Sequence, residues 1–168
     1  TLSGGAGDDS IIGGSGNDTI SGGSGADTIT GGLGADSIVA GAGTDVVYGG
    51  GGNDIITTGG SSTTGATEFA YGEAGDDNIT GNTAKDFIDG GDGNDTLAGG
   101  GANDTITGGA GNDYFLVTAA AQFVGLDSPE TVSGGADTAE AKLAVMEECG
   151  FKITRNPSEM GKLLKAMI

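Results

Sequence analysis

Laid out in nines from Gly4, the chain places one large apolar residue at the eighth position of each repeat, against a background of small and polar residues. The repeats read GGAGDDSII, GGSGNDTIS, GGSGADTIT, GGLGADSIV, AGAGTDVVY and GGGGNDIIT. After an interruption they continue as GEAGDDNIT, GNTAKDFID, GGDGNDTLA, GGGANDTIT and GGAGNDYFL, ending at Leu116. The eighth position holds Ile11, Ile20, Ile29, Ile38, Val47, Ile56, Ile79, Ile88, Leu97, Ile106 and Phe115. Self-similarity at a fixed short period marks an architecture in which each unit buries its apolar side only by stacking on its neighbours. Each nonapeptide is expected to divide into a glycine-rich turn of six residues and a strand of three. Strands that short do not stand alone. Two nonapeptides are therefore predicted to complete one coil, with coils stacking at ~4.8 Å and six of them giving a roll roughly 30 Å long. The mostly β-branched eighth residues suit the inner face of such a pleated surface.

The register stumbles once. Residues 58–71 are longer than a repeat, rich in Ser and Thr, and end in TEFAY, where Glu68 and Ala70 fall at the places of Asp and Ile. This segment is read as one degenerate repeat carrying a bulged turn.

Composition sharpens the picture. Glycine makes up 38 of the 168 residues, there is no Trp or His, and aromatics are 5%, so a conventional core of large side chains is thin and something besides apolar burial must offset the chain entropy. Acidic residues number 24 against 6 basic ones, a net charge of -18, which argues against a nucleic-acid partner. Acidic composition with few aromatics usually means disorder, but the strict order of the residues overrides that reading. The single Cys149 allows no intrachain disulfide, and without histidine there is neither a Cys/His zinc cluster nor a partner for a catalytic thiol. No stretch approaches the ~20 apolar residues of a membrane span, and no basic-then-apolar leader opens the chain, so any export address is expected elsewhere.

The sixth position carries the chemistry. It holds Asp9, Asp18, Asp27, Asp36, Asp45, Asp54, Asp77, Asp86, Asp95, Asp104 and Asp113. Stacked coils would set these carboxylates in two close rows, a repulsive arrangement unless cations lie between them. Ca2+ suits such rows because it takes 6 to 8 oxygens in flexible geometry, whereas Mg2+ demands strict octahedra and keeps its water. About ten such ions would offset the net charge almost completely, so ion binding and folding are expected to be one event, with a disordered ion-free chain.

The repeat G-G-x-G-x-D-x-U-x, with U a large apolar residue, resembles the calcium-binding nonapeptide of the RTX (hemolysin-type) family over about two thirds of the chain. The resemblance implies an all-β, right-handed parallel β-roll with each Ca2+ held between turns of adjacent coils. Its ligands would be the Asp carboxylate and the carbonyls of the second and fourth turn residues. Here those residues are Gly5, Gly7, Gly14, Gly16, Gly23, Gly25, Gly32, Gly34, Gly41, Gly43, Gly50, Gly52, Gly91, Gly93, Gly100, Gly109 and Gly111. Two places depart from the pattern. The turn GNTAKD around Lys85 lacks both consensus glycines and adds a positive charge, and Glu68 must reach from a distorted loop with a longer arm. Both repeats are expected to pack rather than to hold an ion well.

Residues 117–138 read as the ending of the roll, a short helical or strand patch followed by a truncated glycine turn. From Ala139 the composition changes. Leu143, Val145 and Met146 stand opposite charges, Gly150 is a plausible C-cap, FKIT reads as a strand, and Pro157 opens a second helical stretch. A helix, strand, helix cap over 139–168 is predicted, useful for covering the exposed sheet edges of a roll end. This tail resembles the C-terminal end of the succinyl-CoA synthetase α subunit through Gly134, Gly135, Thr138, Ala139, Lys142, Gly150, Pro157 and Gly161. That family's catalysis uses a phosphorylated histidine, which this chain lacks, so the activity is not carried over. The tail is also unlike the type I secretion signal that ends RTX proteins.

The residues therefore point to a noncatalytic calcium-binding module of a secreted or cell-surface protein, such as an adhesin or an S-layer protein. The alternative is the RTX portion of an exported protease or lipase whose catalytic domain lies outside these residues, since neither HExxH nor G-x-S-x-G occurs here. An ice- or surface-binding module would want an unbroken row of exposed Thr or Asn. Asn17, Asn53, Asn94, Asn103 and Asn112 supply part of one, but the neighbouring turn positions vary. Beyond calcium, roll ends leave room for end-to-end contacts or contacts with other surface proteins.

Overall fold

The computed structural model describes residues 1–60, 67–101, 104–117, 122–123 and 131–134. The helix, strand, helix cap expected over 139–168 lies outside these described residues, as does Asn103. The described chain is all strand and turn. In order the strands are β1 (Leu2–Ala6), β2 (Ser10–Ser15), β3 (Thr19–Ser24), β4 (Thr28–Leu33), β5 (Ser37–Ala42), β6 (Val46–Gly51), β7 (Ile55–Thr57) and β8 (Thr67–Ala74). They continue with β9 (Asn78–Thr80), β10 (Lys85–Asp92), β11 (Thr96–Ala98), β12 (Thr105–Ala110), β13 (Tyr114–Val117), β14 (Gln122–Phe123) and β15 (Thr131–Gly134).

Odd-numbered strands form one eight-stranded sheet in chain order, and even-numbered strands form a seven-stranded one. Pairing is parallel throughout, for example Ile20 with Ile38 and Ile29 with Val47. The chain thus winds as a parallel β-solenoid of about 6 turns, each coil contributing one strand to each sheet. Corresponding residues lie 18 apart along the chain, and 23 apart across the degenerate repeat, where Val46 meets Phe69 and Ile55 meets Asn78. Across this longer repeat Ala70 still pairs between Val47 and Ile88, and the stack continues in register. Near the end the step shortens by one residue, with Thr105 beside Gln122 and Tyr114 beside Thr131.

The strands differ from expectation in length. Six of the fifteen run six residues, because the pairing continues into the turn, as with Gly14 and Gly32. Three positions of each repeat therefore face inward: the sixth, the eighth and the first of the next, as in Asp27, Ile29 and Gly31. Ile29, Val47, Ile56, Ile79, Ile88, Leu97 and Phe115 are fully buried. The inward first glycine is dictated by space. A Cβ on Gly13 would press on the Gly31 carbonyl and lie 3.1 Å from Cδ1 of Ile20, so the glycine lets the facing isoleucine fill the lumen.

The outer face of the seven-stranded sheet carries an aromatic row across the interruption. Tyr48 stacks on Tyr71 at 5.1 Å between ring centroids, and Phe87 tilts against both Tyr71 and Phe69 at 6.1 and 5.9 Å. These contacts join β6, β8 and β10, the strands on either side of the inserted residues, where Ala70 provides the least apolar bulk inside.

Candidate metal centre

The sixth-position carboxylates form two rows, one along each edge of the roll where the sheets meet. One row runs Asp9, Asp27, Asp45, Glu68, Asp86 and Asp104; the other runs Asp18, Asp36, Asp54, Asp77, Asp95 and Asp113. Nine of these twelve carboxylates accept a main-chain N–H from the coil before them. Asp9 N–H donates to Oδ1 of Asp27 (2.9 Å), Asp27 to Asp45 (2.8 Å), and Asp45 to Oε2 of Glu68 (2.6 Å). In the second row Asp18 donates to Asp36, Asp36 to Asp54, Asp54 to Asp77, Asp77 to Asp95 and Asp95 to Asp113, all at 2.7–2.9 Å. Glu68 thus takes the aspartate's place in this hydrogen-bond ladder, in register with Asp86.

Only one oxygen of each carboxylate is used in this way. Oδ2 of Asp9, Asp27, Asp36, Asp45, Asp54, Asp77 and Asp95, and Oε1 of Glu68, are buried with no hydrogen-bond partner. These oxygens turn back into their own turns: a Cβ on Gly22 or Gly31 would collide with Oδ2 of Asp27 or Asp36. A buried carboxylate oxygen without a donor is costly unless a cation or a proton meets it. The acidities agree. Burial, reinforced by neighbouring carboxylates, pushes Glu68 and Asp77 up to about 7 and raises Asp45 and Asp54 above the usual carboxylate range, against the opposing effect of the N–H bonds they accept. Asp95 is raised to about 6 by the same burial and by Asp113, Asp76 and Asp89.

The glycines supply the other side of the gap. Gly23 and Gly25 adopt φ of 121° and 126°, a region open to glycine, and a Cβ on either would strike the carbonyl oxygen of Gly5 or Gly7 one coil back. Second- and fourth-position carbonyls therefore stand between successive turns. Every glycine named above as a candidate carbonyl donor has positive φ. Gly75, the fourth residue of GEAGDD, shares that conformation although its repeat carries Glu73 at the second position, and Glu73 itself is held at φ 74°. The intact GDD that follows Ala74 was the signal for Gly75.

Among the described residues no three Asp, Glu, His or Cys side chains converge. An ion in these gaps would take at most two carboxylates and complete its shell from carbonyls, an all-oxygen set that fits Ca2+ and offers nothing to a soft metal. The Asn side chains of the fifth position serve another purpose. Asn17 and Asn53 accept the N–H groups of Ala35 and Asp76 (3.1 and 3.0 Å), and Asp76 and Asn94 accept those of Asn94 and Asn112 (2.8 and 3.0 Å). They form an exposed hydrogen-bonded ladder along one edge, interrupted at Ala35, with their oxygens already engaged.

No curated protein and no solved structure shows significant similarity to the chain. Residues 1–29, 21–56, 30–64, 62–97 and 89–117 match the RTX calcium-binding nonapeptide repeat. With that repeat running through both sheets and both carboxylate rows, the chain belongs to the RTX calcium-binding nonapeptide repeat family.

Proposed function

We propose that this chain is a noncatalytic structural module of a secreted or cell-surface protein, such as an adhesin or an S-layer protein, whose right-handed roll forms when Ca2+ enters the gaps between turns. The observation that carries this reading is the set of buried carboxylate oxygens without donors, repeated from coil to coil. The carboxylates whose second oxygen has no donor, Glu68 among them, with the second- and fourth-position glycine carbonyls, hold the ions; the ions neutralise the rows and so act as the interior that small side chains cannot supply. Right-handed crossovers are the rule for parallel strands. Calcium sites of extracellular modules work at about 10⁻⁴–10⁻³ M, so such a chain stays unfolded for type I export from a low-calcium cytosol and folds outside. The test is far-UV circular dichroism and gel filtration of the dialysed protein, titrated with CaCl2 and separately with MgCl2. Appearance of β signal and compaction with CaCl2 alone is expected; a full β signal in chelator at neutral pH would sink the reading.

A further inference from the structure

One turn in the rows is built differently. In the turn 81–86, Oδ2 of Asp86 is not left open: it accepts the N–H of Asn82 at 2.9 Å. Asn82 takes the second position, where a glycine with positive φ stands in the consensus, yet it does not adopt positive φ. Its side chain closes the turn instead. Oδ1 of Asn82 accepts the N–H of Ala84 at 2.6 Å, and Nδ2 donates to Oγ1 of Thr58 at 3.2 Å. Thr58, which replaces the first glycine of the adjacent turn and is 1% exposed, lies 3.4 Å from Oδ1 of Asp86 as donor. At the same level on the opposite edge, Gly91 and Gly93 keep positive φ and Oδ2 of Asp95 has no partner.

We infer that the turn 81–86 is a calcium-independent clasp, in which hydrogen bonds from Asn82 and Thr58 take the place of the ion and divide this edge's row of sites, while the opposite row runs unbroken from Asp18 to Asp113. The inference rests on the calcium-binding reading above. Each replacement acts in the same direction. The donors satisfy the Asp86 oxygens, and exposed Lys85 adds a positive charge where an ion would bring two. Thr58 opens the degenerate repeat, so that repeat and the turn 81–86 are joined without metal.

The experiment is a calcium count on the full chain, by elemental analysis after equilibrium dialysis against saturating CaCl2, for wild type, D86N, D95N and N82G/A84G, with circular dichroism confirming the fold of each. D86N is expected to bind as many ions as wild type, D95N to lose one or two, and N82G/A84G, which restores the glycine turn, to gain one. Equal losses in D86N and D95N overturn the clasp while leaving the calcium module standing. Should D86N fail to fold, the N82G/A84G count decides, an unchanged number overturning the clasp. A wild type that binds no calcium removes both inferences at once.

Discussion

Asp54 offers a test in which two opposite effects are expected from one residue. It lies in the middle of the unbroken row, accepts the Asp36 N–H at 2.8 Å through Oδ1, and leaves Oδ2 buried without a donor. Its carboxyl is raised by burial first, then by the nearby charges of Asp36 and Glu73. Replacing it by Asn removes the charge but keeps an oxygen for the Asp36 N–H, whereas Ala removes both. A buried N–H left without an acceptor costs about 1–3 kcal/mol, so D54A should be less stable than D54N by that amount, with or without calcium. Against wild type, D54N should differ in sign with conditions. In calcium-free buffer it relieves a buried charge and is expected to raise the residual β signal. In calcium it deprives the neighbouring gaps of a ligand, moving the folding midpoint to higher CaCl2. The assay is a circular dichroism titration of the three proteins with urea melts at both ends. The reasoning fails if D54N and D54A titrate alike, or if D54N folds at the same calcium concentration as wild type.

Other outcomes follow from the same geometry. Glu68 and Asp77 with pKa about 7, and Asp95 at about 6, bind protons more tightly in the roll than in the unfolded chain. The calcium-free roll should therefore be most stable below about pH 4 and lose that stability as pH rises through 6 to 7, while protons compete with calcium and raise its folding midpoint at pH 5 relative to pH 8; circular dichroism of dialysed protein across that range reads both. G25A must fit a Cβ against the Gly7 carbonyl as well as adopt φ 126°, whereas G5A meets nothing within 4 Å and bears the backbone cost alone, about 1–2 kcal/mol, so G25A should melt well below G5A in calcium. E73G, which relieves a non-glycine residue held at φ 74°, is expected to stabilise the calcium-loaded roll by about 1 kcal/mol in urea. I56A, at a fully buried position, should cost about 2–5 kcal/mol by the same measurement.

Much of this protein was legible from residue order alone. A period of nine with Asp sixth and an apolar residue eighth tells which side chains share the interior, because an extended chain alternates faces and both positions are even-numbered. The glycines at the second and fourth positions announced their unusual backbone for an equally local reason, since only glycine takes positive φ without strain. Glu68 and Ala70 could likewise be aligned despite the longer repeat, since the local pattern resumes after it. What the order of residues did not disclose depends on stacking. The first glycine of each repeat joins the strand and faces inward because a facing isoleucine and the next coil's carbonyl occupy the space a side chain would need, and neither neighbour is local. The meeting of Thr58 with Asp86, 28 residues on, exists only once coils lie on one another. Local spacing determines which atoms can face inward; contact between windings decides which of those atoms still want a cation.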